Sequence, residues 1–294
     1  MDGFLIINKD SGMTSRQVCS KIKYNVNEKK VGHTGTLDPA TTGVLVVALG
    51  KATKLISFLP EKTKEYEATV RFGYQTDSYD ATGNIIKEKS DFNITLEEID
   101  NALEKLKLTK EQTPPIYSAI KVKGKKLYEY ARNGENVEIK KRPVKIYNLE
   151  RTSEIKKSSF IEVDIKMVVS RGFYVRSLIN DLGELLSIPS TMSSLIRISS
   201  GNFHIRDSYK LSDVIEGNYK LMPLKEELFD AEKFKIYSSN GKKSYLDKLI
   251  RNGIKLDERQ IKTDKKVLFV YSDDILIAIY ENLGNYKYKP IVLF

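Results

Sequence analysis

Gly32-His33-Thr34-Gly35-Thr36-Leu37-Asp38-Pro39 runs through Ala40, Thr41, Thr42 and Gly43 into the apolar stretch Val44-Leu45-Val46-Val47-Ala48-Leu49. Glycines and a proline bracket one carboxylate, one imidazole and several hydroxyls. Glycine serves where the backbone needs positive φ or a close approach. Pro39 restricts Asp38 to extended geometry and removes a competing N–H. The run after Gly43 is continuous and rich in β-branched residues, which suits a buried strand. Asp38-Pro39 alone also reads as a helix start, an aspartate N-cap with proline at the first helical position. Capping gives no reason for His33, Gly35 and Asp38 to occur together. The stretch is therefore read as a rigid loop holding Asp38 in one pose, as catalytic groups often are held.

Upstream, Phe4 to Asn8 reads as a short buried strand, and Thr14 or Ser15 is placed to cap a helix with Val18, Ile22 and Val26 on one face. Downstream, Lys51 to Leu59 is expected as a short helix stopped by Pro60. Lys64 to Gly73 alternates as a strand, with Tyr66, Ala68, Val70 and Phe72 on one face. Asp77 to Gly83 resembles a calcium loop but lacks the alternating oxygen ligands and distal glutamate, so it is read as a tight turn. Thr95-Leu96-Glu97-Glu98 is a capping box opening a helix with Ile99, Leu103 and Leu106 inward. Beyond Pro114-Pro115, strands are expected near Ile116 to Val122, Val144 to Arg151 and Phe160 to Val169.

Arg171-Gly172-Phe173-Tyr174-Val175-Arg176 then leads into an amphipathic helix whose stripe holds Val175, Leu178, Ile179, Leu182, Leu185 and Leu186. Arg176 falls in its first turn, where the helix dipole disfavours a cation by a few tenths to about 1 kcal/mol. An arginine there asks for a facing carboxylate or phosphate. Strands near Ser194 to Arg206 and a short helix from Leu211 follow. After Leu228 the pattern restarts with β-rich pieces at Val267 to Tyr271, Ile275 to Tyr280 and Tyr288 to Phe294.

The 294 residues, 40% of them hydrophobic, are enough for one large domain and a small one. No apolar run approaches the roughly 18 residues of a membrane span, and the N-terminal residues lack the basic start and apolar core of a secretory leader. The single cysteine, Cys19, fits a reducing cytoplasm. With two distant histidines it makes no zinc set. The net charge is +10. It concentrates at Lys121, Lys123, Lys125, Lys126, Arg132, Lys140, Lys141, Arg142 and Lys145, interleaved with Tyr117, Tyr128 and Tyr130. Such a segment suits phosphates and unpaired bases, although a solvated lysine face reads the same way.

Taken together, the residues resemble the tRNA pseudouridine-55 synthases of the TruB family. The likeness is an ordered series covering roughly residues 3 to 206: Gly32 to Pro39, Lys64-Glu65-Tyr66, Thr76-Asp77 to Gly83, Tyr117-Ser118-Ala119-Ile120-Lys121, Gly124 to Arg132, and Gly172 to Arg176. Beyond Leu228 it rests on size and β content. The resemblance implies an α+β fold, a pseudouridine synthase-like catalytic domain (1–228) with a central mixed or antiparallel sheet flanked by helices. An RNA-gripping insertion near 118–145 and a small β-rich, PUA-like RNA-binding C-terminal domain (229–294) would complete it.

It also implies an isomerase that converts uridine to pseudouridine at position 55 of the tRNA T-loop after flipping the base out. Asp38 matches the essential aspartate and Arg176 the arginine that pairs with it. Tyr66 matches the tyrosine stacking on the target base, and Tyr174 another active-site position. His33 would fill the vacated space in the RNA, Leu195 would line the pocket, and Lys9, Lys121, Lys125, Lys126, Tyr128 and Arg132 would contact substrate. Two positions depart from the family pattern: Asp10 replaces a common proline after Lys9, and Thr41 a common alanine. The reaction needs no redox step or group donor, so no cofactor and no metal are expected. The expected partner is tRNA, without guide RNA or membrane, and the expected state is a cytoplasmic monomer. The alternative is an RNA-binding tRNA chaperone without catalysis, which would need neither Asp38 nor Arg176.

Overall fold

The computed structural model describes residues 1–60, 63–157, 159–238 and 244–294. A mixed central sheet contains β1 (Gly3–Lys9), β2 (Val31–His33), β3 (Thr42–Leu49), β4 (Lys64–Phe72), β5 (Ile146–Arg151), β6 (Ile161–Val169), β7 (Ser190–Ser200) and β8 (Tyr209–Lys210). Their spatial order is β5-β6-β4-β7-β3-β1-β8, with β2 also paired to β3. β7 runs parallel to β3, and β8 parallel to β1. The helices are α1 (Ser15–Asn25), α2 (Leu96–Leu106), α3 (Leu127–Arg132), α4 (Val175–Leu186) and α5 (Leu211–Ile215). The expected α+β class and flanked mixed sheet are what the structure shows.

Residue pattern separates the two halves of the sheet. β4 alternates because only one of its faces is covered. Tyr66, Ala68, Val70 and Phe72 join a core with residues of α2 and α4. On the other face, Arg71 Nε meets Glu162 at 2.7 Å and Lys166 Nζ meets Glu65 at 2.8 Å. β3 is apolar throughout because both faces are buried. Leu45, Val47 and Leu49 pack with Val18 and Ile22 of α1, while Val44, Val46 and Ala48 pack towards the C-terminal strands. Both capping boxes form: Thr14 with Gln17 before α1, and Thr95 with Glu98 before α2.

The C-terminal part is a four-stranded sheet in chain order, β9 (Glu232–Ile236), β10 (Val267–Ser272), β11 (Ile275–Asn282) and β12 (Tyr288–Leu293), with helix α6 (Tyr245–Arg251). Phe229, Val267, Phe269, Ile279 and Val292 share one apolar cluster with Phe4, Ile6, Val44 and Val46. Among the described residues, no helix is long and apolar enough to cross a membrane.

Asp38-Pro39 lies in a loop, as its sequence context indicates, and starts no helix; the Thr41 N–H donates to the Asp38 carbonyl at 3.0 Å and closes a turn into β3. Three local expectations are corrected. The segment Gly50–Phe58 is a 3₁₀ helix. Of Ile116 to Val122, only Lys121–Val122 forms strand, in a hairpin with Lys125–Lys126. The backbone before it turns inward to accept side-chain donors. Leu185 is exposed, turned away from the stripe that Leu182 and the partly buried Leu186 continue against the core.

Candidate active site

Asp38 sits on the loop between β2 and β3, and its neighbours are tied down on both sides. Leu37 is buried against α1, and the Ser15 hydroxyl accepts from the Leu37 N–H at 2.8 Å. Lys9 Nζ donates to the carbonyls of Asp10, Met13 and Pro39 at 2.8, 2.8 and 3.0 Å. Farther back, the Arg197 guanidinium donates to the carbonyls of Val44 (2.7 Å) and Gly35 (3.2 Å). The loop is thus rigid through backbone contacts, leaving the Asp38 carboxyl free of structural duty.

Arg176 reaches that carboxyl from the first turn of α4. Its Nη2 lies 2.8 Å from Asp38 Oδ2, with the arginine side chain 5% exposed and the aspartate 43%. Asp80 lies 3.6 Å from Nη1, and the carbonyls of Ser78 and Tyr117 each accept at 3.0 Å. Two carboxylates and two carbonyls therefore outweigh the unfavourable helix dipole. The Asp77 to Gly83 turn supplies Asp80 and the Ser78 carbonyl. The other Asp80 oxygen is held within the turn: Oδ1 accepts from Ser78 Oγ at 2.9 Å and the Thr82 N–H at 3.0 Å. No group of three or more potential metal ligands occurs among the described residues.

The β4–β7 register sets the rest of the cleft. Tyr66 stands opposite Arg197 and Ala68 opposite Leu195, so Tyr66 and Leu195 enter the same apolar cluster. Tyr174 caps α4, and the Gln112 side chain clamps it by accepting from its N–H (2.8 Å) and donating to its carbonyl (2.9 Å). Burial pushes the Tyr174 phenol above its ordinary pKa, with Arg176 pulling it down and Asp38 pushing it further up. His33 is half-buried at the end of β2, and burial followed by the Arg197 charge pulls its pKa down. Its Nδ1 is buried without a partner.

Lys9 requires a correction. Its side chain is fully buried and all three of its N–H groups are spent on carbonyls, so it positions the Asp38 loop instead of meeting substrate. The basic segment lies on the surface, anchored by fully buried Leu127. Tyr128 has Lys126 and Arg132 over its ring, at 5.3 and 5.5 Å from the centroid. Lys125 reaches Glu135 at 2.6 Å, while Lys121 is exposed in the hairpin.

Sequence reasoning assigned no role to Asp80, Gln112 or Arg197. Arg197 carried a usable signal, a cation two residues from Leu195 in a strand and hence on the same inward face. The Ser78 and Tyr117 carbonyls carried none, because any residue has one.

Comparison with known proteins places these features in context. Residues 23–175 match the model of the TruB family pseudouridylate synthase N-terminal domain. The tRNA pseudouridine synthase B of Lactobacillus acidophilus is 41% identical, with 100% of this chain and 98% of that one covered. That of Staphylococcus aureus is 40% identical over 95% of this chain and 94% of its own length. The fold also matches a chain in the crystal structure of a Cbf5–Nop10–Gar1 complex, with a TM-score of 0.68 at 24% identity over 99% of this chain and 84% of that one.

Proposed function

The chain belongs to the TruB family of pseudouridylate synthases, and on that premise we propose that it isomerises the uridine at position 55 in the T-loop of tRNA. In this reaction the N1–C1′ bond breaks and C1′ rejoins the ring at C5. The C5 proton leaves and N1 gains one, so atoms and oxidation state balance within the nucleotide. Breaking a glycosidic bond requires a nucleophile or a stabilising charge beside the sugar. Asp38 supplies it.

The observation that carries this reading is the 2.8 Å pair between a buried arginine and a half-exposed aspartate. One carboxylate oxygen is oriented by a rigid fork while the group still faces outward. The target base must leave its stack to reach that carboxylate. Tyr66 offers a ring for it, Leu195 an apolar wall, Tyr174 a second ring, and His33 a flat filler for the vacated space. The surface from Lys121 to Arg132, with Lys126 and Tyr128, grips the RNA. Binding without chemistry would give the Arg176–Asp38 clamp no purpose. The enzyme is proposed to act as a cytoplasmic monomer without guide RNA, in keeping with full-length likeness to relatives named as tRNA enzymes.

The test uses unmodified tRNA transcript carrying tritium at uridine C5. Wild-type protein is expected to release one tritium per tRNA and to leave pseudouridine at the T-loop site. Asp38→Asn keeps the shape and is expected to release none, while binding tRNA within about tenfold of wild type. Substantial turnover by a folded Asp38→Asn protein would remove Asp38 from the chemistry. Failure of the wild type to release tritium would overturn the activity.

A further inference from the structure

Beside the Asp38 loop lies a second recess, a cavity of about 440 Å³ with Thr34, Lys64, Arg171, Ser200 and Asn202 on its polar side. Asp38 does not line it. Lys64 occupies the first position of β4, two residues before Tyr66 and hence on the same sheet face. Behind it is the Arg197 guanidinium, 1% exposed, whose Nη1 has no hydrogen-bond partner. A buried donor left unpaired costs about 1–3 kcal/mol, so such groups call for a reason.

Gly35 brings these nitrogens together. A Cβ atom at that position would meet Lys64 Nζ at 3.5 Å and Arg197 Nη1 at 3.7 Å. Both cationic groups therefore converge over one bare α-carbon. Burial lowers the Lys64 pKa, and Arg197 and Arg171 lower it further against the opposing effect of Tyr66. Among the described residues, Lys64 has no ion-pair partner. Two cationic groups converging on one spot, one of them with a donor left unpaired, form a site suited to an anion that arrives from outside.

We propose that Lys64, backed by Arg197 across Gly35, is an anion subsite that takes one backbone phosphate of the bound RNA strand next to the reacting nucleoside. The proposal rests on the reading of the chain as an RNA-modifying enzyme. Successive same-face positions of a strand lie about 7 Å apart, a span that a base on Tyr66 and its own flanking phosphate can bridge. Lys64 contacts the phosphate directly because it alone of the pair lines the cavity. Arg197 supplies fixed charge from behind and holds Gly35 in place.

The full-length protein and its Lys64→Met and Lys64→Arg variants are titrated with unmodified tRNA transcript over a range of potassium chloride concentrations. Lys64→Met is expected to lose about tenfold in affinity at moderate salt. Its log–log salt slope should become shallower by about 0.7–0.9, the value of one phosphate contact. Lys64→Arg should keep the wild-type slope. In parallel, the T-loop phosphates are replaced one at a time by neutral methylphosphonate. One linkage should weaken wild-type binding and leave Lys64→Met indifferent, an arm that holds even if the methionine variant folds poorly, because the wild-type scan stands alone. An unchanged slope in Lys64→Met, or no sensitive linkage in wild type, overturns the proposal. A rise in melting temperature with inorganic phosphate that depends on Lys64, without any change in the RNA slope, assigns the site to free phosphate and likewise overturns it. Tritium release by wild type reads the isomerisation separately, so loss of one reading is not mistaken for loss of the other.

Discussion

Arg176 spends its guanidinium on the carboxylates of Asp38 and Asp80 and on the carbonyls of Ser78 and Tyr117. A lysine could not reproduce that planar fork. Fixed geometry at one residue thus sets the pose of the reacting carboxylate. His33 illustrates the opposite use of charge, since burial favours its neutral imidazole. Its folded pKa lies below the unfolded value near 6.5, so both states are neutral above that pH. As pH falls through the unfolded value, the unfolded chain takes up a proton that the folded chain refuses, and stability declines until the folded imidazole also titrates. Between pH 7 and pH 5 the wild-type melting temperature should therefore fall further than that of His33→Gln. Equal decreases, measured by calorimetry, would show that His33 does not contribute.

At the level of elements, the loop and β3 are joined through Gly43, which stands beside Arg197 in the parallel β3–β7 ladder. Its φ is +95°, and an added Cβ would fall 2.3 Å from the Arg197 carbonyl oxygen and 2.8 Å from its nitrogen. Backbone cannot move aside as a flexible side chain can. Gly43→Ala is expected to lower stability by about 2–3 kcal/mol, read by urea unfolding. It should also reduce turnover, because a displaced Arg197 transmits the shift to Gly35. A variant with wild-type stability would mean that the strands slide apart more freely than their shared ladder suggests. The same elements show why part of the site was legible. Period-two alternation marked Tyr66 on the core face, and the first-turn position of Arg176 demanded an acidic neighbour. The strand expected over Ile116 to Val122 forms only at Lys121–Val122, because Tyr117 turns its carbonyl to Arg176, a demand set by a residue far along the chain.

Across the whole molecule, the C-terminal sheet is more than an appendage in sequence. Phe269 lies 5.6 Å from Phe229, and Phe229 lies 6.1 Å from Phe4 of β1 (ring centroids). This apolar cluster continues into Val44 and Val46 directly after the Asp38 loop. A chain ending at residue 228 would expose one face of β1 and β3 to water, at about 25 cal/mol for each Å² of apolar surface uncovered. It is expected to melt well below the full chain or to aggregate; an unchanged melting temperature would establish two independent folding units.

Residue order alone determined the strand and helix periods, the rigid glycine-rich loop, the capping boxes, the need of Arg176 for a facing anion and the basic, tyrosine-bearing segment, because each depends on neighbours within a few positions or on a charge that local structure leaves unbalanced; that Asp38 is the partner of Arg176 came from the family resemblance. Only the tertiary structure decided that Lys9 is a buried clamp, that Asp80 and two carbonyls complete the hold on Arg176, and that Lys64 and Arg197 meet over Gly35. These outcomes depend on strand register and on which distant backbone groups face one another, and no local pattern encodes a contact that exists only after the sheet has closed.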